Sequence, residues 1–179
     1  MPNHIRNVWK FRNLTPEKVA YIVNKIATQY DRPGMGKDFI IDFDLIIPEP
    51  KFIQDCPKAF RTTSRSHIEE SEGRPWFNWY DWHCIKWGTK WNAYDGYIKR
   101  GKTWVMFVFS TAWSFPIPVA NKVIHLFKEC NIEFRFADED IGSNCGKITY
   151  DPVTEEATEL FEKDLTDPDR FARDLWKKY

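Results

Sequence analysis

Thr103–Phe109 reads TWVMFVF, a run that is apolar on both faces of an extended chain. A strand with one wet face alternates apolar and polar residues, so a run without that alternation belongs inside a sheet covered on both sides. It needs a strand on either flank and apolar cover above and below. Upstream, Trp91–Tyr97 supplies one neighbour through a hairpin at Lys99-Arg100-Gly101-Lys102. Downstream, Pro116 and Pro118 introduce a helix with Val119, Val123, Leu126, Phe127 and Cys130 on one face. A further strand follows, with Ile132, Phe134 and Phe136 inward and Glu133 and Arg135 outward. The turn ADEDIGSN then leads to CGKITY, expected as an edge strand.

The N-terminal stretch supplies the rest of the frame. Ile5, Asn7, Trp9 and Phe11 alternate with Arg6, Val8 and Lys10, the mark of a half-buried strand. Thr15 followed by Pro16 is a helix start, and Val19, Ile22, Val23, Ile26 and Tyr30 share one face up to a stop at Arg32-Pro33-Gly34. A second strand is expected over Asp38–Asp44, with Phe39, Ile41 and Phe43 on one side and Asp42 and Asp44 on the other. The order β-α-β, insertion, hairpin strand, α, β predicts an α+β chain built on a ferredoxin-like split β-α-β sheet. Residues 1–150 are read as that domain, with a Trp-rich helix/hairpin insertion at 46–100. Residues 151–179 are read as an acidic C-terminal helical extension packed on it, with Asp167-Pro168 as its start and Phe171, Leu175 and Trp176 as its apolar face. With two helices on one face of the sheet, the apolar row from 103–109 needs a cover on the other. The Trp segment, the C-terminal helix or a partner could each supply it.

Five of the nine tryptophans fall in WFNWYDWHCIKWGTKW, residues 76–91. Trp76, Trp79, Tyr80, His83 and Trp87 sit at helical spacing, and Gly88 suits the left-handed residue that closes a helix. That stripe is expected to lie over the sheet, whereas the Trp87–Trp91 corner has two readings. In one, aromatic walls stack a base or grip a side chain, with Lys90 and Asp95 orienting the ligand. In the other it is packed architecture, with Lys90 paired to Asp95.

Composition narrows the class. The 42% apolar content, with 14 Phe, 7 Tyr and 9 Trp, fills the core of a single soluble domain. No apolar run approaches a membrane span and the N-terminus lacks a signal peptide's apolar stretch, so the expected location is the cytoplasm. Neither the four cysteines nor the four histidines have metal-ligand spacing, so neither a metal nor a cofactor is expected. The net charge of zero is polarised: residues 1–130 carry 19 Lys/Arg against 13 Asp/Glu, and residues 131–179 carry 7 against 13. The acidic end either pairs internally or meets a basic partner.

The segments MPNHIRNVWKF, FDLIIPEP, WYDWHCIKWGTKWNAYD, FSTAWSFPIP and FADEDIGSNCG resemble the YubB-type ferredoxin-like proteins of phages and plasmids. The resemblance runs from residue 1 to about 150, and WGTKW and STAW are its most specific words. Phe115 departs from the proline expected after STAWS. The resemblance implies a ferredoxin-like fold, a mobile-element setting and a bacterial host cell; it implies no reaction.

Two further groups are candidate sites. Asp138, Glu139, Asp140 and Asn144 form an acidic turn that either holds a cation through oxygen ligands or bonds its own backbone. Arg100, Trp104 and Phe107 partly match the RNA-recognition strand word, which makes single-stranded nucleic-acid binding on an open sheet face one alternative. Nucleotide or small-ligand capture beside Trp87 and Trp91 is another. No nucleophile elbow, Walker loop or dinucleotide fingerprint is present, and no catalytic residue is assigned. The leading expectation is a non-enzymatic accessory protein binding a host macromolecule, most concretely an inhibitor of a CRISPR or restriction-type nuclease. Its acidic residues, Asp138–Asp140, Glu155, Glu156, Glu159 and Glu162, would then enter a basic channel.

Overall fold

The computed structural model describes residues 3–32, 36–54 and 79–179. All eight residues of β5 (Val105–Ala112) are buried, as the double-sided apolar run requires. On one side β5 pairs with β1 (His4–Arg12), and on the other with β4 (Tyr94–Arg100), both antiparallel. Beyond β1 lie β6 (Asn131–Asp138), β7 (Cys145–Asp151) and β8 (Glu156–Phe161), completing a six-stranded sheet in the order β4-β5-β1-β6-β7-β8. The helices α1 (Pro16–Ile26) and α5 (Ile117–Leu126) connect within this frame. The segments β1-α1-β4-β5-α5-β6 thus give the strand order β6-β1-β5-β4, which is the ferredoxin-like split β-α-β arrangement.

The strand that completes the frame is not the expected one. α1 ends at Ile26, where Ala27 is already extended, and the chain turns into β2 (Ala27–Arg32) paired with β3 (Gly36–Ile41) in a separate two-stranded sheet. Tyr30, expected on the helix face, lies in β2 and donates from its hydroxyl to the Gly96 carbonyl at 2.7 Å. Thr28, Tyr30, Phe39, Ile40 and Ile41 are β-branched or aromatic, and pairing outweighs continuation of the helix there. The expected strand at 38–44 also stops early. Asp42 caps α2 (Phe43–Ile46) by accepting from Asp44 N–H, so Phe43 starts a helix. β4 takes the frame position instead. At the far edge, CGKITY is not the edge strand, because β8 pairs along its whole length. Short α3 (Lys51–Gln54) falls in the stretch read as insertion; residues 55–78, including Trp76, lie outside the described residues.

Thr15 caps α1 as read, accepting from Lys18 N–H, and Val19, Ile22, Val23 and Ile26 are buried against the sheet. Trp9 sits at the centre of this core, edge-on to Phe109 at 5.1 Å and to Phe134 at 4.6 Å. Such pairs add about 0.5–1.5 kcal/mol each beyond the area they bury. The opposite face is covered by α6 (Pro168–Lys178). Asp167 caps α6, and Ala172 and Leu175 bury against Val8, Met106, Val108, Ala137 and Cys145. Trp176 Nε1–H donates to the carbonyls of Ala137 and Asp138, at 3.2 and 2.9 Å, so the helix is also pinned by polar contacts.

Charges on the α6 face pair rather than stay free. Glu133 is within 3.2 Å of Arg12, Arg135 and Lys147 nitrogens. Burial raises its carboxyl, but those cations outweigh it and hold it below the ordinary carboxylate value.

Because α6 is the cover, Leu175→Ala should cost about 2–5 kcal/mol in urea denaturation. Asp174→Ala, whose exposed side chain reaches Arg170 at 3.9 Å, should change stability by less than about 0.5 kcal/mol.

Candidate functional site at the aromatic end of the sheet

Antiparallel pairing brings His4 opposite Ala112, Ile5 opposite Asp138, Tyr94 opposite Ser110 and Cys145 opposite Ala137. The residues just beyond those positions therefore meet at one end of the sheet. They include both groups singled out in the sequence, Trp87–Asp95 and Asp138–Asn144. Between them stand Trp113, His4 and Tyr94, which pattern reading did not select.

The Trp-rich helix ends one residue before Trp87. α4 spans Trp79–Lys86 among the described residues, and Trp87 follows in the closing turn, where Trp87 N–H and Gly88 N–H both bond the His83 carbonyl. Gly88 has φ +79, and a Cβ there would stand 2.7 Å from Pro118 Cδ, so glycine is required. Within the described part of this run Trp82 and Trp87 are the buried indoles, edge to face with ring centres 5.5 Å apart, and Phe43 packs edge-on with Trp87. Tyr80, expected in the buried stripe, is exposed at the surface instead. Tertiary packing buries Trp82, which lies off the stripe, in place of Tyr80.

Trp87 is thus a wall anchored from behind, with Nε1–H donating to the Ile47 carbonyl at 2.9 Å. Lys90 does not pair with Asp95. Its ammonium lies 4.7 Å from the Trp91 ring centre and 4.9 Å from that of Trp113, a cation held between two indoles. Asp95 bonds Arg6 instead, at 3.4 Å. Tyr80 continues the row, edge-on to Trp113 at 6.1 Å. Trp113 itself has φ +72, a conformation costing a bulky residue about 1–3 kcal/mol. It is held there by its N–H to the Asn3 carbonyl (2.9 Å) and by Asn144 Nδ2–H donating to its own carbonyl (3.0 Å).

Asp138, Glu139 and Asn144 are occupied in shaping this end. Asp138 accepts from Asn3 Nδ2, Asp140 N–H and Asn144 Nδ2, and Glu139 accepts from His4 N–H. Asp140 takes a bond from Ser143, and Asn144 N–H donates to Glu162. The turn bonds its own backbone. Beside it Tyr94 shares a 2.6 Å hydrogen bond with His4 Nδ1, and burial followed by the charges of Glu139 and Asp95 pushes its phenol up to about 12.

The third candidate group does not assemble. Phe107 is fully buried on the α1/α5 side of the sheet, edge-on to Phe11. Trp104 is half-buried on the opposite face beside α6, with Lys10 over its ring at 5.3 Å. Arg100 is exposed at the end of β4. A base stacked on Phe107 would have to displace the core, and the face that carries Trp104 is occupied by α6.

Next to the Trp91–Trp113 row, Asp42, Asp44, Glu49, Trp79, His83, Trp87, Trp91 and Asn92 line a cleft of about 540 Å³. His83 stacks on Trp87 at 4.0 Å and 16°, with Nδ1 against the Lys90 carbonyl at 3.0 Å and Nε2 against Glu49 at 3.1 Å. Burial lowers its pKa from the ordinary 6.5, outweighing the Lys90 carbonyl and Glu49, which raise it. The Asp-x-Asp spacing at 42 and 44 was the sequence signal for this floor, but it reads equally as the wet face of a strand.

A histidine with a depressed pKa takes up its proton more readily in the unfolded chain, so folding loses stability as pH falls from 6.5 through the folded value. Thermal melts between pH 7 and pH 5 should show that fall, and His83→Gln should flatten it. The Glu133 contribution enters lower, as pH drops below 4.5.

Residues 86–173 match the family model described as the ferredoxin-like domain in Api92-like protein. The match runs from the end of α4 into α6 and so takes in β4, β5, α5, β6, β7 and β8. No curated protein and no solved structure matches the chain. Among the described residues, no helix is long and apolar enough to cross a membrane. The sheet order and the family match agree: the chain carries a ferredoxin-like domain, similar to that of Api92-like protein.

Proposed function

We propose that this chain is a non-enzymatic accessory protein of a phage or plasmid, of YubB type, that acts in the host cytoplasm by binding a host protein. Its most concrete form is a counter-defence inhibitor of a CRISPR or restriction-type nuclease complex. One observation carries the reading: the exposed aromatic patch lies at the end of the sheet and not on its face. Trp113 is 42% exposed, and Tyr80 and Trp91 are each 36% exposed. Trp91 and Trp113 flank Lys90, Tyr80 packs edge-on to Trp113, and Asn144 of the acidic turn donates to the Trp113 carbonyl. Large amphipathic rings at low entropy cost, rimmed by charge, are the usual anchors of a protein interface. Nucleic acid would instead want an exposed aromatic row on an uncovered sheet, together with a basic track.

The acidic edge adds steering. In β8, Glu156 and Glu159 are exposed on a strand whose outer edge is unpaired among the described residues, with Glu155 and Glu162 beside it. Carboxylates there accelerate encounter with a basic surface and discourage strand addition by a second chain.

The tagged full chain, incubated with lysate of a nuclease-bearing host at moderate salt, should retain a nuclease component and protect phage in a plaque assay. Trp113→Ala should weaken capture at least about 30-fold, the cost of losing an aromatic anchor, while shifting stability by less than about 1 kcal/mol at this exposed position. Capture and protection that survive Trp113→Ala and Trp91→Ala together would remove the patch from the account. Oligonucleotide binding in place of protein capture would overturn the reading.

A further inference from the structure

The cleft beside the patch has a chemistry of its own. The Trp87–Trp91 corner was expected to seat a base or a side chain, with Lys90 and Asp95 orienting it. Neither lines the cleft: Lys90 lies between the Trp91 and Trp113 rings, and Asp95 is on Arg6. Three carboxylates, of Asp42, Asp44 and Glu49, take their place, and no lysine or arginine lines the cleft among the described residues. A phosphate-bearing ligand would meet like charge there. A cation would meet opposite charge and indole faces together.

The carboxylates are oriented before any ligand arrives. Asp42 Oδ1 accepts from Asn92 Nδ2 at 2.7 Å and from Asp44 N–H at 3.0 Å. Asp44 Oδ1 accepts from Glu49 N–H at 2.6 Å. Among the described residues, no cation pairs with either aspartate, and the second oxygen of each makes no hydrogen bond. Asn92 is fixed in turn, because its Oδ1 accepts from Phe43 N–H and Ala93 N–H. The aromatic wall is equally constrained. Trp87 is tied to the Ile47 carbonyl and backed by stacked His83, and Trp91 stands edge-on to Tyr94. Walls and acceptors held in this way lose little freedom when a ligand enters.

We propose that this cleft binds an organic cation, a guanidinium or primary ammonium group. Asp42 and Asp44 accept from its N–H groups, and the Trp91 indole lies against its face. The site adjoins the aromatic patch and shares Trp91 with it, but it does not depend on the host-protein reading. The cation can arrive on an arginine or lysine side chain of a peptide or as a free amine, and both present the same group to the cleft.

The test follows the Trp91 indole N–H and the Asn92 side-chain amide by two-dimensional NMR on the full chain. Three ligands are added at about 10 mM, enough to populate a complex with a Kd near 1 mM: agmatine, N-acetyl-arginine methylamide and its neutral citrulline twin. Both cations should shift the two signals, and the citrulline compound should not. A response to the arginine compound without agmatine also supports the site and assigns the cation to a peptide. Asp44→Asn keeps an acceptor for Glu49 N–H and should weaken the cation about tenfold, the usual loss when a charged acceptor becomes neutral. The ligand comparison on the unaltered chain stands even if that variant folds poorly. Equal shifts from citrulline, a stronger response to AMP than to agmatine, or no response to either cation would overturn the proposal.

Discussion

The double burial of β5 is the constraint on which the rest of the structure depends. A strand apolar on both faces cannot exist at the surface of a sheet, so helices must lie on both sides of it. α1 and α5 supply one side, as the split β-α-β frame dictates. α6 supplies the other, with Leu175 and Ala172 on Val8, Met106 and Val108. Once both faces are closed, the ends and the outer edge are what the sheet has left for recognition. The exposed tryptophans are at an end and the exposed glutamates at an edge, which is why the surface chemistry looks unlike that of ferredoxin-like modules that bind RNA on an open face.

The polarised charge divides between two uses. Part of it is consumed internally: Glu133 draws in Arg12, Arg135 and Lys147, uniting strands β1, β6 and β7 across the α6 face. Lys18 and Glu129 likewise join α1 to the turn after α5. The remaining excess, at Glu155, Glu156 and Glu159, is solvated on β8 and its turn. Exposed pairs and single surface charges add little stability. Their consequence is in the field the molecule presents, acidic along one edge and aromatic with an embedded lysine at one end.

Much of this was legible from spacing. Caps written as Thr15-Pro16 and Asp167-Pro168 start helices where they should, because a side-chain acceptor before a proline satisfies local backbone whatever the tertiary context. β5, β1 and β6 follow from their apolar patterns. Which strand takes the second frame position was not legible. Asp38–Asp44 has the cleaner alternation, whereas Tyr94–Arg100 holds Asp95 at φ +45 and a register shift between Tyr94 and Tyr97. The hairpin of β4 with β5 was readable at Lys99-Arg100-Gly101-Lys102, but which of the two candidate strands fills the frame position depends on the whole sheet and has no local signature. The cleft was illegible for the same reason: Asp42, Glu49, His83 and Trp91 come from separate stretches and meet only once the chain has folded.

The tryptophans show why abundance alone could not assign a role. Trp9, Trp82 and Trp87 are core. Trp104 and Trp176 seal the α6 face, each beneath a cation, Lys10 and Arg6. Trp91 and Trp113 stay partly wet around Lys90. One residue type therefore does three physically different jobs, separated by what lies against each ring and not by sequence spacing. The third job is the one that folding does not require. A positive φ at Trp113 costs energy that burial does not return, and it is maintained by the Trp113 N–H donating to the Asn3 carbonyl and by Asn144 donating to the Trp113 carbonyl. Strain held in place at a solvent-exposed aromatic supports the proposal that Trp113 serves an interface, beyond its contacts with Lys90 and Tyr80.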